Sequence, residues 1–265
     1  MELTEVSQIQ DVILDILKHI DTFCRRHEIR YFMAGGTMLG AVRHKGFIPW
    51  DDDADIVMPR PDYDRFVKEY RQEGHPRYRL LESCYLKVED SYTMCKDYGL
   101  TEELFGINVD IFPLDGAPEG KEEQIALCKE AGHYKRRISH RRKPLYAAFL
   151  PHHGAPLAII QAHFHSMAYW QKKCDSVLRT YSFEDSPFAG VLQGVYGPRE
   201  VFPASIFRER AEYEFNGVKL FGVKDYDSYL KGLYGNYMQL PPEKDRVPAH
   251  HERVTLDIPA SDTQR

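Results

Sequence analysis

The sequence predicts an α+β protein, and three observations carry that reading. Ile9, Val12, Ile13, Ile16, Leu17, Ile20, Phe23 and Cys24 recur at helical spacing across residues 5–27, leaving Asp11, Asp15, Lys18 and Arg25 on a solvated face. Between residues 78 and 112 the apolar pattern changes to strand-like alternation. From Glu119 onward long helical stretches return, followed by a small β region. At 265 residues the chain makes one large domain or two small ones, with ample material for a core.

Taken in order, 30–33 reads as a short strand running into Gly35-Gly36, and 37–43 as a short helix after the glycines. Residues 53–58 form a strand, and the helix after Pro61 carries Tyr63, Phe66, Val67 and Tyr70 on one face. Three strands are expected over 78–83, 84–89 and 92–98, and a fourth over 107–112. Asp115, between Leu114 and Gly116, reads as a turn residue. Helices follow over 119–142 and 156–180, with His163 and His165 two residues apart and so structural rather than joint metal ligands. A small β region with an Asn216-Gly217 hairpin and a helix over 225–234 complete the chain.

Composition narrows the function classes. A net charge of −5 argues against a nucleic-acid partner. The five cysteines are scattered and form no CxxC, which points to a reducing, cytoplasmic setting and away from zinc. No secretory h-region and no run of 18 apolar residues is visible.

The chemistry concentrates in two places. Strand alternation sends Asp53 and Asp55 to one face, about 7 Å apart, with Ala54, Ile56 and Met58 on the other. Like charges held that close call for a cation, and an all-oxygen pair suits magnesium better than zinc. The bland alternative is a solvated acidic turn. Asp110 sits between Val109 and Ile111, where an unpaired charge is costly to bury, so it is the natural third carboxylate. Upstream, the order strand, Gly35-Gly36, Thr37, helix offers backbone N–H groups and a helix N-terminus to a phosphate. Arg43 and His44 follow that helix and face an anionic ligand in this reading, and Asp51 supports the site from behind. Six cations in residues 135–143 are either a solvated helix end or a contact for an anionic membrane surface or polymer.

Three segments together resemble the LicD family, choline-phosphate transferases of bacterial surface glycans that are related to the fukutin-related proteins. They are Ala34 to Asp55 (AGGTMLGAVRHKGFIPWDDDAD), Val109 to Asp115 (VDIFPLD) and Tyr234 to Pro242 (YGNYMQLPP). One departure is visible: family members often carry Phe-Glu where this chain has Phe215-Asn216. The resemblance implies a nucleotidyltransferase-like mixed sheet flanked by helices. It divides the chain into a catalytic core over 1–118 and a helical and small β region over 119–251, while the terminal residues 252–265 read from the sequence as a disordered tail.

It further implies transfer of a phospho-alcohol, most simply phosphocholine from CDP-choline, to a sugar hydroxyl of a teichoic acid or lipopolysaccharide type glycan, free or lipid-linked. CMP would leave. Asp53, Asp55 and Asp110 would hold magnesium, two ions in all, with Asp110 the general base. Gly35, Gly36 and Thr37 would contact donor phosphates. Arg43, His44 and Lys87, which resembles the family's strand lysine, would steady developing charge. The enzyme would be cytoplasmic, in peripheral contact with the inner face of the membrane through 135–143. Two rival readings stand: a nucleotidyltransferase that attaches a nucleoside monophosphate to its acceptor, and a non-catalytic glycan- or membrane-binding protein. The second predicts erosion of the three carboxylates, and all three are present.

Overall fold

The computed structural model describes residues 2–82, 84–95, 106–149, 156–248 and 254–256. The expected α+β class is found, with seven α-helices among the described residues and a mixed, nucleotidyltransferase-like sheet. The chain folds as two units, one of 1–97, 104–113 and 206–265, the other of 98–103 and 114–205.

The first unit begins with β1 (Glu2–Leu3) and α1 (Val6–Arg26), then β2 (Phe32–Met33), α2 (Gly35–His44), β3 (Asp55–Pro59) and α3 (Arg60–Glu73). Next come β4 (Tyr78–Glu82), β5 (Leu86–Asp90), β6 (Thr93–Cys95) and β7 (Asn108–Ala117), whose residues from Leu114 onward belong to the second unit. Its central strands lie in the order β2-β3-β7-β5-β4, with β4 antiparallel to β5 and β5 antiparallel to β7. α1 buries the stripe that the spacing predicted; Ile13 and Ile16 are fully inaccessible, each contributing about 1.5–3 kcal/mol of burial. A capping box between Glu5 and Gln8 starts this helix.

β7 runs further than expected. Asp115 is a buried strand residue, paired with Gly190, and not a turn residue. Its neighbour Gly116 explains the continuation: a Cβ there would meet the Ser182 carbonyl at 2.3 Å, so only glycine lets that backbone approach.

The second unit holds α4 (Lys121–Arg142), α5 (Pro156–His163), α6 (Met167–Leu178), β8 (Phe188–Gly190) and β9 (Val201–Pro203). β8 bridges the end of β7 and β9. The long helix expected over 156–180 is two helices, because the Ser166 hydroxyl caps α6 by accepting the Tyr169 N–H. Glu122 and Glu123 open α4 and His140, Arg141 and Arg142 close it, the arrangement that matches a helix dipole.

Back in the first unit, β10 (Arg210–Phe215) and β11 (Val218–Val223) form the expected hairpin, with Asn216 and Gly217 both at positive φ. α7 (Tyr226–Tyr234) is capped by the Asp225 carboxylate. The final strand, β12 (Val254–Leu256), pairs with β1 and β6, so part of the expected disordered tail is ordered; the rest of 249–265 lies outside the described residues. No helix of the described residues is long and apolar enough to cross a membrane.

His19 on α1 hydrogen-bonds Tyr70 of α3 at 2.9 Å and packs on His75 and Tyr78. Burial first, then the neighbouring His75, lowers its pKa from 6.5 to about 4. The unfolded chain therefore takes up a proton below about pH 6.5 that the folded chain refuses until about pH 4. Stability is expected to fall as pH drops through that window, by about 1 kcal/mol from this group after solvent screening. Urea denaturation at pH 7, 5.5 and 4.5 checks it, and His19→Gln should show a shallower fall.

Candidate active site

The site is assembled in the first unit from three segments distant in sequence. Ala54, just before β3, is the hinge of the arrangement: its carbonyl accepts the Asp110 N–H of β7 at 3.0 Å. Ala54, Val109 and Ile111 are buried, whereas Asp53, Asp55 and Asp110 are half-buried. The strand expected over 53–58 begins only at Asp55, so Asp53 lies just before β3, yet the alternation of buried and half-buried residues read from the sequence is present on both segments.

α2 supplies the next layer. It begins at Gly35, not after the glycines, so Gly35 and Gly36 form its first turn. The Gly35 N–H donates to the Tyr229 hydroxyl at 3.1 Å, and Thr37 is buried, its hydroxyl accepting the Asp55 N–H at 2.8 Å. The Ala34 N–H donates to the Asp55 carbonyl at 3.0 Å, so Asp55 is gripped from both sides of its peptide unit. A Cβ on Gly36 would lie 3.1 Å from Asp51 Oδ2, and one on Gly35 3.6 Å from Asp55 Oδ2. Gly35 also has φ +50, a conformation that favours glycine. The glycines therefore seat carboxylates against the helix N-terminus, where the partial positive charge favours an anion.

On the other flank, Lys87 stands directly across from Asp110 in the antiparallel β5–β7 register. Its ammonium is ion-paired with the Asp110 carboxylate and donates to Asn108 Oδ1 at 2.9 Å. Tyr85, two residues earlier, hydrogen-bonds the same carboxylate, with its ring 4.2 Å from that of Phe112 and 5.3 Å below the Lys87 ammonium. Burial, then the charge and hydrogen bond of Asp110 and the charge of Asp55, raise the Tyr85 hydroxyl well above its usual range, so it remains a donor. Sequence reasoning missed Tyr85. Its signal was available once Lys87 was noticed, since residues two apart on a strand share a face.

Arg43 and His44 form a separate group at the end of α2. Arg43 donates through Nε to His44 Nε2 at 2.9 Å and through its terminal nitrogen to the Tyr237 carbonyl at 2.9 Å. Arginine only donates, so His44 accepts at Nε2 and is neutral; burial and then the Arg43 charge lower its pKa in agreement. Asp51 and Tyr234 act on Arg43 electrostatically, which ties this group to the motif that ends the sequence resemblance.

The loop between α2 and the carboxylates is held from two directions. Gln10 donates to the carbonyls of Ile48 and Asp51 at 3.2 and 2.8 Å. Asn216, at the hairpin tip, accepts the Phe47 N–H at 3.0 Å while its own N–H donates to the Lys45 carbonyl at 2.8 Å. Asn216 thus uses its carboxamide and its own N–H as a backbone clamp on this loop.

The donor set offered by Asp53, Asp55 and Asp110 is wholly oxygen, the chemistry of a hard divalent cation. Among the described residues, however, no three His, Cys, Asp or Glu side chains converge as a ready-made metal cage. Asp110 takes its counter-charge from Lys87. The fit to magnesium is one of donor chemistry and strand placement, with the side chains not drawn together.

A sheet of this order, with paired carboxylates beside a glycine-started helix, defines a protein of the nucleotidyltransferase fold. Residues 28–140 match the family model described as "LicD/FKTN/FKRP, nucleotidyltransferase domain". The chain is 30% identical over 266 aligned positions to the lipopolysaccharide cholinephosphotransferase LicD of Haemophilus influenzae, an alignment covering 97% of this chain and 100% of that protein. An uncharacterized protein of Rickettsia prowazekii is 30% identical over 87 residues, 32% of this chain and 29% of its own. The chain belongs to the LicD family.

Lys87 and Asp110 are each only 19% exposed, so removing one partner strands the other. Lys87→Met should lower stability by about 1–3 kcal/mol, with Lys87→Met/Asp110→Asn recovering part of the loss. Denaturant midpoints for the two single variants and the double variant measure that coupling.

Proposed function

We propose that this protein transfers phosphocholine from CDP-choline to a sugar hydroxyl of a cell-surface glycan, with CMP as the leaving group. The observation that carries the reading is the 30% identity to a lipopolysaccharide cholinephosphotransferase, sustained over all of that protein's length. The acceptor class favoured is accordingly a lipopolysaccharide-type glycan, free or lipid-linked, with teichoic acid the other polymer of matching chemistry. Residence in the cytoplasm with peripheral contact at the inner face of the membrane belongs to the same proposal.

In the reaction the acceptor oxygen forms a bond to the phosphocholine phosphorus, and the bond from that phosphorus to the bridging oxygen of CMP breaks. Asp110 takes the proton of the attacking hydroxyl. Lys87 and Tyr85 hold that carboxylate in one orientation, so the base is positioned before the substrate arrives. Gly36 and Thr37 present the start of α2 to the donor phosphates, and Arg43, a cation throughout the working pH range, balances charge on the departing CMP. Neutral His44 fixes the Arg43 side chain through its Nε2. Magnesium held by Asp53, Asp55 and Asp110, as two ions, would neutralise the pyrophosphate and acidify the acceptor hydroxyl.

The family description as a nucleotidyltransferase domain favours one second reading, attachment of a nucleoside monophosphate to the acceptor. Product analysis separates the two. Purified protein, magnesium, a panel of CDP-alcohols and a lipopolysaccharide acceptor should yield CMP and phosphocholine-bearing glycan. Pyrophosphate release with a nucleotide left on the glycan would establish the rival, and silence with every CDP donor would remove the transferase reading. Asp53→Asn should slow CMP release by about a thousandfold or more with an unchanged circular dichroism spectrum.

A further inference from the structure

The second unit carries a surface that the chemistry above does not use. On α5, Leu157 and, just past its end, Phe164 lie seven residues apart and so share a face; they are 71% and 74% exposed. The segment 145–149 packs against α5 and adds Leu145 and Tyr146, 47% and 55% exposed. Beneath this face Ala147, Ala148 and Ile159 form a small buried cluster, so the exposed side chains stand on packed supports. Large apolar side chains gathered in this way mark an interaction site more often than singly scattered ones do.

The cations of α4 border the same face. Arg137 donates to Gln161 Oε1 on α5 at 2.9 Å, and Arg141 donates to the His165 carbonyl, beside Phe164, at 3.2 Å. These two bonds dock the basic end of α4 along the apolar face, giving leucine and aromatic side chains flanked by guanidinium groups. That is the composition by which a surface helix lies in the plane of a lipid headgroup region.

We infer that the outer face of α5, with segment 145–149 and the basic end of α4, is a docking surface for an anionic lipid membrane. Charge decides the occupant. The chain as a whole is acidic at −5, yet the border of this face is basic, so a neutral or basic partner has no complement here and an anionic bilayer has. Apolar side chains enter the headgroup boundary, and Arg137 and Arg141 meet lipid phosphates. The inference deepens the peripheral location within the proposed function, and its test reads lipid binding alone, so either can fail without the other.

The test is co-sedimentation of the full chain with vesicles of phosphatidylglycerol and phosphatidylcholine in equal parts, against vesicles of phosphatidylcholine alone. Binding to the anionic vesicles is expected, weakening as salt is raised. Leu157→Ser/Phe164→Ser and Arg137→Gln/Arg141→Gln should each bind them at least about tenfold more weakly, with melting temperature close to that of the parent. Equal binding by parent and variants would overturn the assignment, as would indifference to phosphatidylglycerol. So would a concentration-dependent dimer that Leu157→Ser/Phe164→Ser abolishes, since the face would then belong to a second copy of the chain.

Discussion

The hydrogen bond from the Asp110 N–H to the Ala54 carbonyl is the constraint on which the site depends. It places β7 beside the segment that enters β3, and by strand alternation it fixes which faces carry charge. A slip of one residue in either strand would bury the carboxylates and expose Val109 or Ala54. The complete burial of Val109, Ile111 and Ile56 is therefore what makes the charged arrangement specific. The apolar face sets the register, and the polar face inherits its geometry from it.

Around that bond the structure restrains Asp55, Asp110 and the stretch that carries Asp51 by different devices. Asp55 is held through its backbone by Thr37 and Ala34, leaving its side chain to face the start of α2. Asp110 is held through its side chain by Lys87 and Tyr85. The stretch that carries Asp51 is tied down by Gln10, and the residues before it by Asn216. Such restraint has an entropic cost on folding, offset here by burial of α1 and the central strands. It is the arrangement that catalysis by positioning requires.

The parts legible in the sequence were those governed by local periodicity. The stripe on α1, the Asn216-Gly217 turn and the alternation at Asp53, Asp55 and Asp110 all follow from residue spacing. What escaped was set by distant partners. Asp115 looks like a turn residue beside Gly116, but β8 extends the strand past it. Val254–Leu256 has strand-favouring residues but is only three residues long, too short to stand out as a strand, and is ordered by pairing with β1 and β6. Tyr85 joins the site only through the register that sets Lys87 against Asp110. The glycines were visible, but that they accommodate Asp51 and Asp55 at the helix start emerges only in the folded chain.

The central claim is that carboxylates from two strands act as one metal-and-donor site. Calorimetric titration of CDP-choline into the protein, with and without magnesium, tests it most directly. Magnesium-dependent binding is expected, and Asp53→Asn and Asp110→Asn should each abolish it, although the two residues lie on different segments. Donor binding that ignores magnesium, or that survives either substitution unchanged, would contradict it.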